Sequence, residues 1–248
     1  MIKLKTHDEI EGIARSCDLL SELFAVLRPL VQPGRTTGEL DRVAREFIAE
    51  RGGKPAFLGY YDYPAALCVS VNEEVIHGIP GARRIEPGDL VGIDCGIDLD
   101  GYFSDAAITV AVPPVGERAA HLVRVTRECL ERAIAAVKPG ARIHDVSRAV
   151  FSHAKANGLG VVRQYCGHGV GFGVHEDPQV PNYVGSGPNP RMVPGMVLAI
   201  EPMINLGGDD VTELDDGWTV VTLDRSLSAH FEHTVAVTAD GARVLTTW

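Results

Sequence analysis

Pro87-Gly-Asp-Leu-Val-Gly-Ile-Asp94-Cys-Gly-Ile97-Asp-Leu99-Asp-Gly101 has a counterpart 107 residues downstream, Pro194-Gly-Met-Val-Leu-Ala-Ile-Glu201-Pro-Met-Ile204-Asn-Leu206-Gly-Gly208. Each copy opens on a Pro-Gly turn signal and passes into a short apolar, β-forming run. Each run ends on an acid, Asp94 in one and Glu201 in the other. A second block repeats at almost the same distance: Val31-Gln-Pro33-Gly34 is matched 106 residues later by Val137-Lys-Pro139-Gly140. Read on without a gap, Glu39 falls with Asp145, Leu40 with Val146, Arg42 with Arg148 and Gly52 with Gly158. Two blocks in one order predict a single domain over 1–248 with an internal repeat, roughly 1–112 and 113–248. The period is too long for a solenoid.

The elements around these blocks agree. Ile10, Ile13, Cys17, Leu20, Phe24 and Leu27 recur at helical spacing, and Thr6 with Glu9 forms a capping-box pattern. A second helix starts at Thr36 with Glu39 and stops at Gly52-Gly53; a third spans about 116–137. Residues 54–66 read as an aromatic-rich loop, and Leu67–Val71, Leu90–Ile97 and Tyr102–Val112 read as strands. The fold class expected is α+β: two pseudo-symmetric α/β halves with antiparallel sheets.

Composition narrows the function. A formal charge of −10 argues against direct nucleic-acid binding, which runs on clustered Lys and Arg. No run of about 18 apolar residues predicts a membrane span. Five cysteines without a C-x-x-C are no disulfide framework and suit a reducing compartment, and the start lacks the apolar core of a secretory signal, so a cytoplasmic location is expected.

The repeat also has a chemical content. Asp105 precedes Ala-Ala-Ile-Thr-Val, and Glu232 precedes His-Thr-Val-Ala-Val, so each half supplies two acids on successive strands. Four ionised carboxylates in one core are very costly unless something positive offsets them. No basic side chains repeat beside them, so two divalent cations balance the charge. His168 lies in Tyr165-Cys-Gly-His168-Gly-Val-Gly-Phe-Gly-Val-His175-Glu-Asp-Pro-Gln-Val-Pro-Asn-Tyr183, framed by glycines that permit close backbone approach and positive φ. The phosphate-binding G-x-G-x-x-G is absent, and His175-Glu176 does not continue to H-E-x-x-H, because Gln179 stands at the last position.

The segment Tyr165–Tyr183 resembles the signature of the type I methionine aminopeptidases throughout. So do Asn72-Glu-Glu-Val-Ile-His77-Gly-Ile-Pro80, Ile200-Glu201-Pro202, Asp216-Gly-Trp218-Thr and Arg225–Thr234. The resemblance covers nearly the whole chain and is to the short bacterial form. It implies the pita-bread fold around a dinuclear site of Asp94, Asp105, His168, Glu201 and Glu232. In that family's arrangement Asp94 chelates one metal, Asp105 and Glu232 bridge both, and His168 and Glu201 bind the other, the metals being Co, Mn, Fe or Zn. A metal-bridged hydroxide attacks the scissile carbonyl, with Glu201 as general base, His175 stabilising the oxyanion and His77 contacting the scissile amide nitrogen. The activity implied is removal of N-terminal methionine from nascent proteins and peptides, preferentially before a small second residue, by a monomer working near the ribosome.

By the same resemblance Tyr60, Tyr63, Cys68 and Trp218 form the methionine pocket, and Asn72 with Ser228 resembles part of a monovalent-cation site. Two positions depart from the bacterial pattern. Phe57 replaces a small residue at the pocket edge, and Val174 replaces a Phe, which suggests an exchange of volume. Rival readings are a prolidase-type pita-bread peptidase, a non-catalytic pita-bread binding module, whose kind has lost metal ligands where this chain keeps all five, and a thiol hydrolase using Cys68 or Cys95 with His77.

Overall fold

The computed structural model describes all residues, Met1–Trp248. Four helices lie outside and antiparallel sheets lie within: α1 (His7–Leu27), α2 (Thr37–Glu50), α3 (Glu117–Ala135) and α4 (Ile143–Ala156). The capping boxes form as expected. Thr6 N–H donates to Glu9 Oε2 at 2.7 Å, and Thr36 N–H to Glu39 Oε2 at 2.7 Å. The α1 stripe Ile13, Cys17, Leu20, Phe24 and Leu27 is buried, each residue at most 1% exposed.

In the first sheet the long strand Leu90–Leu99 is central. Tyr102–Ala111 pairs along one edge, while Lys54–Pro55 and Cys68–Val71 share the other. The aromatic segment 54–66 is therefore not all loop; it begins with a two-residue strand and contains a 3-10 turn at Tyr60–Asp62. The second sheet runs Gly241–Val244, His233–Thr238, Val197–Ile200, Gly167–Gly169, Glu176–Val180. Two further three-stranded sheets complete the fold, and a 45-residue apolar core shared by the four- and five-stranded sheets takes side chains from all four helices.

Register decides where the acids fall. Asp94 stands opposite Ala107, and Asp105 opposite Gly96. The first pair of acids is thus diagonal on one face rather than directly opposed. In the second sheet Ile200 stands opposite His233, which brings Glu201 and Glu232, the next residue on each strand, nearer to direct opposition. The two sheets meet at a bridge between Ala107 and Glu232, where Glu232 N–H donates to Ala107 C=O at 2.9 Å. No helix is long and apolar enough to cross a membrane.

Candidate metal centre and active site

His168 lies on the short Gly167–Gly169 strand, pressed between two neighbours. A Cβ at 167 would stand 2.3 Å from the Ala199 carbonyl oxygen, and one at 169 would stand 2.3 Å from that of Asp177. Close approach is what the glycine frame supplies. Positive φ appears not beside His168 but at Gly171. His168 Nδ1 lies 2.9 Å from Gly169 O. A carbonyl only accepts, so Nδ1 carries the proton and Nε2 keeps its lone pair for a cation. Burial, with the His175 imidazole next in effect, pushes the His168 pKa down to about 3.

Around that lone pair the acids gather. Nε2 stands 3.4 Å from Glu201 Oε1 and 3.8 Å from Asp105 Oδ2. Ligand atoms of Asp105, His168 and Glu232 all lie within 4.8 Å of one another. Asp94 lines the same cavity, and Asp105, Glu201 and Glu232 all feel its charge. Burial raises all four carboxyl pKa values, and mutual repulsion pushes Asp105, Glu201 and Glu232 higher still. Asp94 Oδ1, Asp105 Oδ1 and Glu232 Oε1 are buried without any hydrogen-bond partner. No Lys or Arg lines the cavity. Acceptors without donors, four acids without a base and one neutral imidazole together fit divalent cations.

The cavity, about 260 Å³, continues from the acids to an apolar wall. Phe57, Tyr63, Ala65, Cys68 and Val174 form one buried cluster, with Tyr60 and Trp218 packed against it. Tyr63 and Trp218 meet edge to face at 4.9 Å, and Tyr63 OH lies 3.0 Å from both Leu67 O and Gly78 O. Phe57 and Val174, the two departures, share this cluster.

His77 and His175 face the cavity from opposite loops. His77 adopts φ 61°, a left-handed conformation costing about 1–3 kcal/mol in a non-glycine residue. The next residue must be glycine, because a Cβ at 78 would meet Val69 O at 2.4 Å. His175 Nδ1 bonds Tyr60 OH at 3.0 Å, and its ring meets that of His168 at 4.3 Å. Burial lowers the pKa of both, that of His77 to about 4, so both imidazoles are neutral at neutral pH.

Asn72 and Ser228 also come together, but outside this cavity. Ser228 N–H donates to Asn72 C=O at 2.8 Å, while both side chains are engaged locally. The thiol reading fails, because burial and then the nearby Asp94 raise the Cys68 and Cys95 thiols well above their ordinary range. One residue escaped the sequence reading. Buried His230 places Nε2 3.7 Å from Glu201 Oε2. Its position two before Glu232 was the available signal, since alternate strand residues share a face.

Residues 11–239 match the model of metallopeptidase family M24. The methionine aminopeptidase of Treponema pallidum is 55% identical over 247 residues, covering 99% of this chain and 96% of that one. That of Escherichia coli is 43% identical, covering 99% and 94%. The solved methionine aminopeptidase of Thermotoga maritima superposes with a TM-score of 0.97 at 44% identity over the full length of both chains. A prolidase from Pyrococcus furiosus shares the pita-bread fold at a TM-score of 0.80, with 24% identity over 99% of this chain but 65% of its own. Full-length similarity to the first group, and likeness of fold alone to the second, separate the two peptidase readings. The chain belongs to metallopeptidase family M24, and within it to the methionine aminopeptidases.

Proposed function

We propose that this protein removes methionine from the N-termini of peptides and nascent proteins, preferentially when the second residue is small. The observation that carries the reading is one cavity with a soft, aromatic-lined end for a thioether and a carboxylate-histidine cluster at the other. Asp94, Asp105, His168, Glu201 and Glu232 would hold two divalent ions, drawn from Co, Mn, Fe or Zn. Such ions supply Lewis acidity, which polarises a carbonyl and acidifies water.

The chain's own groups do the rest. Tyr60, Tyr63, Cys68, Phe57 and Trp218 seat the methionine side chain and orient the first peptide bond. Glu201 accepts the proton of the attacking water and passes it to the departing nitrogen. His77 contacts that nitrogen. His175 donates to the oxygen on which negative charge develops: with Nδ1 against the Tyr60 hydroxyl, the neutral ring carries its one N–H on Nε2 for that bond. Asn72 and Ser228 are a secondary proposal as monovalent-cation ligands. On this reading the protein is one catalytic domain, a monomer that meets its substrates near the ribosome in the cytoplasm.

The test is metal-stripped protein reloaded with Mn or Co and given Met-Ala-Ser. Free methionine is the expected product, and an N-acetylated peptide stays intact. Asp105→Ala and Glu232→Ala are each expected to abolish both metal loading and cleavage. Cleavage of the acetylated peptide, or full activity in either variant, overturns the reading.

A further inference from the structure

The turn that carries His175 is braced from below by the N-terminal segment. Lys5 inserts its side chain, 1% exposed, beneath Gly171 and places Nζ 2.6 Å from Glu176 Oε2; the Glu176 side chain is 4% exposed. The other carboxylate oxygen, Oε1, accepts the Phe172 N–H at 2.8 Å. Glu176 thus ties the start of the turn to its end, and it is the residue immediately after His175. Lys5 is fixed in turn, because its backbone N–H donates to Gly195 C=O at 2.8 Å. The fit is close: a Cβ at Gly171 would stand 2.9 Å from Lys5 Cε. Lys3 Nζ, 3.7 Å from Oε1, is an exposed outer partner.

We propose that Lys5 and Glu176 form a strut whose work is to hold the His175 imidazole at its place over the cavity, making Lys5 a positioning residue. The inference rests on the role proposed for His175. Its physical basis is that a buried ion pair is a poor source of stability, since desolvation offsets most of the attraction. What it does supply is direction. A carboxylate with one oxygen on an ammonium and the other on a backbone N–H has no freedom left. His175 is otherwise held by one hydrogen bond to its ring, from the Tyr60 hydroxyl, by packing on the His168 ring and by the pairing of Glu176 with Gly169, and the turn itself is half open to solvent. An error of about 1 Å in such a group can cost up to a hundredfold in rate.

Lys5→Met, made in the wild-type and in the His175→Ala backgrounds, is the test. In the wild-type background kcat is expected to fall at least tenfold with KM and bound metal unchanged. In the His175→Ala background no further loss is expected, because the group being positioned is gone. A merely structural role would lower both backgrounds by the same factor, and that result, or full kcat in Lys5→Met, overturns the proposal. If Lys5→Met does not fold, the uncharged pair Lys5→Met/Glu176→Gln carries the same cycle. Amide exchange in the metal-free protein gives a readout independent of peptidase activity. Phe172 N–H is expected to exchange at least tenfold faster in the variant, and unchanged exchange overturns the strut even where the peptidase reading stands. Failure of the wild type to release methionine, by contrast, would sink the peptidase reading and leave the exchange result intact.

Discussion

The Thr234 hydroxyl replaces a missing rung of backbone pairing to Asp105: it accepts the Asp105 N–H at 3.1 Å and donates to the Asp105 C=O at 2.7 Å. Thr109 does the same to His230 from the other lobe, accepting its N–H at 2.9 Å and donating to its C=O at 2.8 Å. Midway between these clips these two strands touch directly, Glu232 N–H donating to Ala107 C=O at 2.9 Å. On either side of that point a threonine hydroxyl takes the place of a direct backbone pair. This seam sets Asp105 beside Glu232.

Removing one clip should loosen both fold and site. Thr234→Val keeps the shape but strands a buried N–H and C=O, at about 1–3 kcal/mol for each unmet group. Urea unfolding of the metal-free protein should show that loss, and metal titration should show at least tenfold weaker binding. Thr234→Ser keeps the hydroxyl and should stay within about 1 kcal/mol of wild type. Equal stability of the Val and wild-type proteins would show that the seam is held by other contacts.

Metal binding should strengthen with pH for a reason that can be isolated. The four carboxyl groups have raised pKa values in the folded, metal-free protein, through burial and mutual repulsion. Stability from a raised carboxyl pKa is present below the ordinary carboxylate range and is lost as pH rises through the folded value. A bound cation removes that loss, because it needs the ionised form. The histidines titrate in the opposite sense. Burial lowers His168 and His230 to about 3 and His77 to about 4, so in the folded state they are neutral from pH 5 upward. The difference in Tm between Mn-loaded and metal-free protein largely cancels the unfolded chain, and between pH 5 and 8 the carboxylates dominate it. It should be larger at pH 8; a difference that shrinks with pH would mean the acids are not the cation's ligands.

How far this was legible in the sequence can be argued from the same residues. Asp94 and Glu201 were found because each ends a β-forming run in a repeated block, and Asp105 and Glu232 because each opens one. Sequence spacing fixes the face of a strand but not the partner across it. The two-residue difference in register between the lobes was therefore invisible, and the first acid pair proved diagonal rather than opposed. His168 was legible from its glycines, though for close approach and not for positive φ. For His230 the only local signal is its place two before Glu232, which does not tell a buried strand histidine from a ligand; its 3.7 Å approach to Glu201 is made by the fold. Lys5 lay beyond reach for a similar reason, since its partner stands 171 residues away.

Loss of either cavity histidine should separate binding from chemistry. His175→Ala should lower kcat by about 10²–10³ with little change in KM, the behaviour of a donor used where charge develops. His77 contacts the substrate nitrogen in the proposed reading, so His77→Ala should lower kcat/KM with a share of the loss in KM. Both variants should bind metal as the wild type does, because neither residue is among the five ligands proposed, Asp94, Asp105, His168, Glu201 and Glu232. Loss of metal from His175→Ala would assign that residue to the metal instead.

Phe57 and Val174 offer the sharpest test of the pocket. They lie in one buried cluster, 9% and 4% exposed, against Tyr63 and Cys68. Phe57→Ala opens a void beside the methionine seat, so kcat/KM for Met-Ala-Ser should fall about tenfold, while peptides beginning with Phe or Leu should be discriminated against less strongly. Val174→Phe adds volume to a filled wall and should also impair cleavage, since overpacking costs about 1–3 kcal/mol. If the two residues share one space, Phe57→Ala/Val174→Phe restores the wall from the other side. Its kcat/KM for Met-Ala-Ser should then exceed that of both single variants. A double variant no better than the worse single would mean that the two side chains fill separate volumes, and that the pocket is set by Tyr63, Cys68 and Trp218 without them.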